Sequence, residues 1–414
     1  MKFLEDLAAR QRFGVQPGLD AIRGVCAALG NPHRNFRAIH VAGTNGKGAV
    51  CAILDSCLRS AGLRVGRYTS PHLVRINERF FLDGAPISDY DLERVAGTVA
   101  HVAPLESRLT FFEALTAVAF LVYAEAKPDF VVLETGLGGR LDATNVCEPA
   151  LAVITRVGLD HCNWLGDTVD KIASEKAGII KSGVPVVLGR NVPEVVEVVK
   201  MRATEVGAPF IYAPDFADES EIPPGFSLAG SFNRENAVTA LAALKTLEMA
   251  GRPHVMKGFT EVVWPGRFQR VGRFIVDGAH NPPAAGALVA ALREMPVQGE
   301  GLVLVAGFCG DKDVDETLRI LAPLVRRAFA VRTNNPRSLA PEVLAAKMVA
   351  AGMSSVPCDS VGVAFERLAT EPPVFSPDTI VCGSLFLAGE ALVALGAYPW
   401  PTERLDLSES VVSR

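Results

Sequence analysis

The chain alternates short, continuously apolar runs with longer segments in which apolar residues recur every three or four positions. The short runs are typical of strands in a parallel sheet that is covered on both faces, and the longer segments have the period of helices. Up to residue 262 this pattern predicts strands at 37–43, 63–70, 129–136, 150–156 and 184–190, and helices at 47–62, 110–126 and 233–251.

Pro265 and Gly266 interrupt the alternation, and a second series follows. Its strands are predicted at 273–278, 301–308, 327–333 and 378–384, and its helices at 283–295, 313–325, 340–352 and 387–396. Strand–helix alternation of this kind indicates a doubly wound α/β architecture. We therefore predict an α/β protein with an N-terminal domain, 1–268, that carries a phosphate-binding loop on a mostly parallel sheet, and a smaller Rossmann-like C-terminal domain, 269–414.

Composition narrows the class of protein. The net charge of −5 argues against a nucleic-acid partner, because such binders usually carry a basic surface. No charge-free apolar stretch is long enough to span a bilayer, and the first residues, MKFLEDLAARQRF, lack the apolar core of a secretory signal. The eight cysteines form no CxxC pair, which favours reduced, buried thiols. These features predict a cytoplasmic protein with no membrane partner.

The segment VAGTNGKGAV, residues 41–50, lies between a predicted strand and a predicted helix. Glycines let backbone N–H groups approach phosphate oxygens, the helix N-terminus adds positive potential, and Lys47 supplies a mobile charge. A plain glycine-rich turn is the alternative. Nucleotide loops usually have a metal-binding hydroxyl close behind the lysine, whereas Lys47 is followed by Gly48 and Ala49, so a metal would need a ligand from elsewhere. The residues predicted to bind phosphate are Thr44, Asn45, Gly46, Lys47 and Gly48.

Polar side chains follow three of the predicted strands at the point where each strand ends. Ser70 comes after the second strand, Glu134 closes the third, and His161 follows the fourth. Because the carboxyl ends of parallel strands form the ligand crevice of an open sheet, we expect these side chains to lie close together. Oxygen ligands suit magnesium. Taken singly, Ser70 could be a turn serine and His161 a packed histidine.

Asp277 and His280 mark a strand end in the second predicted domain, just before a helix. A strand-end aspartate in a Rossmann-like unit commonly binds ribose hydroxyls, and an N-cap aspartate is an equally good alternative. Lys176, in SEKAGII, and Asn236, in NRENAVTA, could each be a polar residue on a helix face.

Seven motifs occur in order along the chain: GTNGKG, TSPHL, ETGLGGRLDATN, LDH, EKAGI, PGRF and DGAHNP. This ordered set resembles the folylpolyglutamate synthases and dihydrofolate synthases of the Mur ligase superfamily, and its GGRLDATN form resembles the bifunctional bacterial members. The resemblance implies an ATP-dependent, Mg²⁺-dependent ligase with two metal ions. It would add L-glutamate to dihydropteroate, to the glutamate tail of tetrahydrofolate, or to both, through an acyl phosphate.

The resemblance also implies roles for individual residues near the triphosphate. Ser70, Glu134 and His161 would hold the metal ions, so that Ser70 offsets the hydroxyl absent at position 49. Lys47 would stabilise phosphate charge. Lys176 would be carbamylated, which turns a cation into a carboxylate that supports the second metal.

Further positions match residues that bind ATP and the two substrates in this family. Residues 12–20, RFGVQPGLD, would help to cover the pterin. The matched positions are Asn236, Arg267 and Asp277 for ATP, Thr110, Leu141, Asp142 and Ala143 for dihydropteroate, and His280 and Ser384 for glutamate.

Three alternatives have different consequences. An enzyme that only extends glutamate chains would share every motif. A Mur ligase acting on a cell-wall nucleotide precursor would usually carry an added N-terminal domain, and here the loop already begins by residue 43. A GTPase-type switch would want a hydroxyl directly after the loop lysine and an NKxD motif, and neither is present. We expect a monomer whose partners are small molecules.

Overall fold

The computed structural model describes residues 18–104, 109–295, 301–370 and 378–402, together with Leu7, Arg10, Gly14 and Gln16. Part of the predicted pterin-covering segment 12–20 and most of the N-terminal stretch examined for a secretory signal lie outside these residues. The described chain divides into two compact units. The first holds most residues up to Val263, and the second holds the residues from Trp264 onward together with Leu73–Arg75 and Leu228–Phe232.

An eight-stranded sheet forms the centre of the first unit, in the order β4-β3-β2-β5-β1-β6-β7-β8. Strands β2, β5, β1, β6, β7 and β8 pair in parallel, and β3 and β4 pair antiparallel at one edge. The strands are β1 (Ala38–Ala42), β2 (Val65–Tyr68), β3 (Phe80–Leu82), β4 (Ala85–Pro86), β5 (Phe130–Glu134), β6 (Pro149–Ile154), β7 (Val186–Leu188) and β8 (Phe210–Tyr212).

Helices cover this sheet, and short 3₁₀ turns link several elements. The helices are α1 (Asp20–Ala28), α2 (Lys47–Ser60), α3 (Asp89–Val102), α4 (Phe111–Ala126), α5 (Cys162–Leu165), α6 (Val169–Ala177), α7 (Pro193–Glu205), α8 (Ala213–Phe216), α9 (Ser231–Thr246) and α10 (Gly258–Glu261). The 3₁₀ turns are Pro32–Arg34, Ile76–Arg79, Ala143–Val146, Glu219–Glu221 and Val255–Lys257.

Strand β1 lies between β5 and β6 and is buried along its whole length. Its register pairs Val41 with Glu134 of β5 and Ala42 with Ile154 of β6. The loop that leaves β1 therefore starts beside the carboxyl ends of both neighbouring strands.

The second unit contains a six-stranded sheet in the order β13-β12-β11-β14-β10-β9, parallel except for β9. Its strands are β9 (Gln269–Val271), β10 (Phe274–Val276), β11 (Leu302–Ala306), β12 (Val325–Val331), β13 (Ser354–Cys358) and β14 (Thr379–Cys382). Its helices are α11 (Pro282–Arg293), α12 (Val314–Leu321), α13 (Pro341–Ala350), α14 (Val361–Ala369) and α15 (Leu385–Ala394), with a 3₁₀ turn at Ala322–Leu324.

The predicted α/β class is confirmed, and the strands that were not predicted lie at the edges of the sheets. Several helices were not predicted either, among them α3, α7 and α14. Strands β3, β4 and β9 are two or three residues long, too short for a readable apolar period. Strand β13 is only partly buried and contains Pro357, so it also lacks a continuous apolar run. Among the described helices, none combines the length and the apolar character needed to cross a bilayer.

Candidate active site

The loop between β1 and α2 is held close to the end of β6. The amides of Thr44 and Asn45 donate to the carbonyl of Arg156 (2.8 and 3.1 Å), and the Thr155 hydroxyl donates to the carbonyl of Asn45 (2.7 Å). Gly46 is the N-cap of α2, and its φ of 88° lies in the left-handed region that favours glycine. A Cβ at Gly46 would also meet the side-chain oxygen of Asn236.

This geometry assigns different tasks to the predicted phosphate-binding residues. The backbone amides of Thr44 and Asn45 donate to the carbonyl of Arg156, so these two residues fix the conformation of the loop. Lys47 and Gly48 lie in the first turn of α2, where amides have no acceptor within the helix and point toward the N-terminus. These first-turn amides can donate hydrogen bonds to phosphate oxygens.

Lys47, Glu134 and Ser70 lie next to one another. The Nζ of Lys47 is 3.9 Å from Oε1 of Glu134, and the amide of Ser70 donates to Oε2 of the same carboxylate (3.0 Å). The Glu134 side chain is only 5% exposed. The structure thus brings together a cation, a buried carboxylate and a serine from the ends of three elements.

The loop after β6 reaches the phosphate loop through Thr44. The Thr44 hydroxyl donates to the carbonyl of Gly158 and accepts from its amide, both at 3.1 Å. His161 follows with a left-handed backbone, and its Nε2 is 3.9 Å from Oδ1 of Asp160. A cavity is lined by these two residues together with Lys47, Lys176 and the segment Gly136–Gly138, among others.

Burial gives Lys176 an unusual charge state. The residue is 3% exposed, and its Nζ donates to the carbonyl of Gly43 (2.8 Å). Desolvation, reinforced by the charge of Lys47, lowers the pKa of Lys176 from 10.5 to about 7. Above neutral pH its amine is therefore mostly uncharged and nucleophilic.

This shift predicts a pH-dependent stability difference between the wild-type protein and Lys176→Met. The unfolded chain keeps the Lys176 proton up to its usual pKa of 10.5 and the folded chain only up to about 7. The penalty for burying the charge is complete below pH 7 and disappears as pH rises toward 10.5. The stability advantage of Lys176→Met should shrink by roughly 1.4 kcal/mol per pH unit between about pH 7.5 and 9.5.

Urea unfolding in CO₂-free buffer, without metal or nucleotide, measures this difference. Lys171→Met is the matched control, because the Lys171 side chain is exposed and forms a surface ion pair with Asp167 (2.8 Å). A wild-type-minus-variant difference that stays constant with pH would contradict a buried, neutralised Lys176.

A divalent metal fits the chemistry of the three side chains predicted to bind it. Glu134 offers a buried carboxylate, Ser70 a hydroxyl and His161 a half-exposed imidazole. Within the described residues no cluster of three or more His, Cys, Asp or Glu side chains could hold a metal alone. A small number of protein ligands is sufficient for Mg²⁺, because this ion is bound mainly through phosphate and water. An imidazole ligand also suits Mn²⁺.

The predicted dihydropteroate contacts lie on two elements of the first unit that touch each other, the start of α4 and the 3₁₀ turn after β5. Thr110 caps α4: its hydroxyl accepts from the amide of Glu113 and donates to the Glu113 carboxylate. Asp142 accepts four hydrogen bonds within the loop. Ala143 is buried beside it, and Leu141 is partly exposed.

Four further predicted residues belong to the second unit, at the carboxyl ends of the adjacent strands β10 and β14. Asp277 accepts from the amides of Phe268 and Ala279 (both 2.7 Å). Burial raises the pKa of Asp277, and the charge of Arg267 opposes this. The Nδ1–H of His280 donates to the carbonyl of Gly278 (2.8 Å). Ser384 caps α15 by accepting from the amide of Leu387 (3.1 Å).

Three residues near the site were not predicted from the sequence. His40 is fully buried in β1, and Thr144 bonds to it. Arg140 donates two hydrogen bonds to the Glu175 carboxylate and ties the loop after β5 to the helix of Lys176. A histidine inside the apolar run RAIHVAG was the available signal for His40.

Comparison with known families matches both parts of the chain. Residues 41–244 match the Mur ligase middle domain, and residues 266–382 match the glutamate ligase domain of the Mur ligases.

Similar proteins carry a dihydrofolate synthase/folylpolyglutamate synthase name. The Bacillus subtilis protein is 39% identical over 318 residues, which are 69% of this chain and 74% of that protein. The Escherichia coli protein is 34% identical over 419 residues, and this alignment covers 96% of this chain and 95% of the E. coli protein.

Solved structures agree. E. coli FolC in complex with DHPP and ADP superimposes with a TM-score of 0.83 at 31% identity, covering 95% of this chain and 98% of that one. The bifunctional Yersinia pestis enzyme complexed with AMPPNP and Mn has a TM-score of 0.80 at 32% identity, covering 92% and 94%. The predictions of ATP and a divalent metal are confirmed at this level. The chain therefore belongs to the folylpolyglutamate synthase/dihydrofolate synthase family of Mur-type ligases and is an ATP-dependent, ADP-forming ligase.

Proposed function

We propose that this ligase joins L-glutamate both to dihydropteroate and to the glutamate tail of reduced folates. One observation carries the proposal: Lys47, Ser70 and Glu134 adjoin at the strand ends of a chain that matches bifunctional relatives over almost its whole length. The names of the relatives include both activities, and one similar structure contains L-glutamate with AMPPNP and Mn.

The reaction requires activation because a carboxylate has a poor leaving group. The acceptor carboxylate attacks the γ-phosphorus of ATP, forms an acyl phosphate and releases ADP. Lys47 and the first-turn amides of α2 stabilise the equatorial phosphate oxygens during transfer. The amine of L-glutamate then attacks the acyl carbon, loses a proton, and inorganic phosphate leaves.

Ser70, Glu134 and His161 would hold the divalent metal, which when bound neutralises charge on the phosphate oxygens. Lys176 is proposed to be carbamylated. Its buried amine has a pKa of about 7, so the neutral form that adds to CO₂ is abundant at physiological pH. Carbamylation would replace a cation near Lys47 with an anion, and so would favour metal binding.

The remaining assignments complete the proposal. ATP is proposed to contact Asn236, whose side chain lies over Gly46. The residues proposed for the other contacts are Arg267 and Asp277 for ATP, His280 and Ser384 for glutamate, and Thr110, Leu141, Asp142 and Ala143 for dihydropteroate. We further propose that residues 1–268 act as the ATP-binding domain and 269–414 as the glutamate-ligase domain, in a monomer that works in the cytoplasm.

ADP formation tests the proposal when it is measured with dihydropteroate and, separately, with tetrahydrofolate, each with and without L-glutamate. We expect glutamate-dependent ADP formation with both acceptors. Activity with tetrahydrofolate alone would reduce the assignment to chain extension. Activity only with a cell-wall nucleotide precursor would favour a Mur ligase of cell-wall synthesis. ATP hydrolysis that needs no acceptor would favour a nucleotide switch.

A further inference from the structure

A buried chain of hydrogen bonds runs from strand β1 to the loop after β5. It consists of Cys147, His40, Thr144 and Asp142, and we refer to these four residues as the relay. Cys147, His40 and Thr144 are fully buried, and Asp142 is 5% exposed. None of the four was assigned to the phosphate or metal chemistry above.

The hydrogen bonds of the relay have one consistent direction. The Thr144 hydroxyl donates to Oδ1 of Asp142 (2.5 Å), so its oxygen can accept from the Nε2–H of His40 (2.8 Å). With its proton on Nε2, His40 can accept the Cys147 thiol proton at Nδ1 (3.8 Å). Burial keeps the His40 ring neutral and the Cys147 thiol protonated, because it lowers the pKa of His40 to about 3 and raises that of Cys147 to about 12.

Asp142, at one end of the relay, is hydrogen-bonded to backbone that lines the candidate active site. Oδ2 of Asp142 accepts from the amides of Gly136 and Leu137 (2.8 and 2.9 Å), and Oδ1 also accepts from the amide of Thr144 (3.0 Å). Gly136 and Leu137 line the same cavity as Lys47 and Lys176. Their backbone position therefore depends on where the Asp142 carboxylate is held.

His40, the second member of the relay, lies on the strand that carries the phosphate loop. His40 is two residues before the end of β1, and its backbone pairs with Leu133, the residue before Glu134. The ring of His40 thus connects the strand of the phosphate loop, through Thr144 and Asp142, with the Gly136–Leu137 backbone that lines the cavity. Buried polar groups are costly unless satisfied, so a relay of this length fixes one arrangement of the loop.

We propose that His40 and Thr144 are positioning residues for the ligase reaction, which fix Asp142 and through it the Gly136–Leu137 backbone against the triphosphate site. The effect on turnover rests on the proposed function. The effect on the backbone of residues 136 and 137 does not, so the two can be tested separately.

Thr144→Val and Thr144→Ser form the matched pair in the full-length protein. Valine keeps the shape and removes the hydroxyl, and serine keeps the hydroxyl. We expect Thr144→Val to lower kcat about 10- to 100-fold by displacing the cavity wall, with the KM for ATP nearly unchanged because Arg156 and Thr155 still hold the phosphate loop. Thr144→Ser should recover most of the wild-type kcat.

Hydrogen exchange at the amides of Gly136 and Leu137 provides the second readout. Thr144→Val should speed their exchange about tenfold or more relative to strand β5, and Thr144→Ser should not. If Thr144→Val does not fold, His40→Leu and His40→Gln replace it, since glutamine retains a donor near the position of Nε2. Wild-type exchange in a hydroxyl-free variant, or equal kcat in both members of a pair, would overturn the proposal. If the wild-type protein made no ADP with either folate acceptor, the exchange result alone would decide it.

Discussion

Replacing Lys47 with alanine is expected to lower kcat about 1,000-fold while the protein remains folded. In this structure the Lys47 ammonium lies 3.9 Å from Glu134 and at the start of α2, where the phosphates are expected. It would stabilise charge that grows on the transferring phosphoryl group, so its loss should reduce kcat more than ATP affinity.

Steady-state ADP formation measures this effect, with circular dichroism as the test of folding. Lys171→Ala is the control, since it removes one positive charge from the same unit at an exposed position. Lys47→Ala with kcat within a few-fold of the wild-type value would remove Lys47 from the transfer step.

Glu134→Gln should have the second largest effect, a loss of about 100-fold or more in kcat at moderate Mg²⁺ concentration. Glutamine preserves the shape and can still accept from the amide of Ser70, but it removes the negative charge that would attract the metal. Excess Mg²⁺ should therefore restore part of the lost activity, and the concentration for half-maximal activity should rise.

A Mg²⁺ titration of activity at saturating ATP distinguishes this from a simple loss of structure. Glu125→Gln is the control, because Glu125 is an exposed carboxylate on α4 that pairs with Arg94. An unchanged Mg²⁺ requirement in Glu134→Gln would show that Glu134 does not bind the metal.

Several features of the site could be predicted because they depend only on chain order and strand direction. A glycine-rich segment between a strand and a helix predicts a phosphate loop, and Glu134 at the end of an apolar run must lie at the carboxyl edge of a parallel sheet. In the structure, the pairing of Val41 with Glu134 places this carboxylate beside the start of the phosphate loop.

Other features arise only from packing between distant segments. Nothing near Lys176 in the sequence indicates that its amine is buried against the Gly43 carbonyl, 133 residues away. Asp142 matched a substrate contact, but in the folded chain protein donors already bond to both of its carboxylate oxygens. Its contact with dihydropteroate remains a prediction. The antiparallel edge strands β3 and β9 were missed because their pairing depends on neighbours in space.

An anomalous difference map from crystals with Mn²⁺ and a non-hydrolysable ATP analogue would show directly whether side chains from separate strand ends hold metal-bound triphosphate. We expect metal within coordination distance of the Ser70, Glu134 and His161 side chains, roughly 2.0–2.3 Å, with the γ-phosphate beside Lys47. Metal and triphosphate bound away from these residues would contradict this expectation.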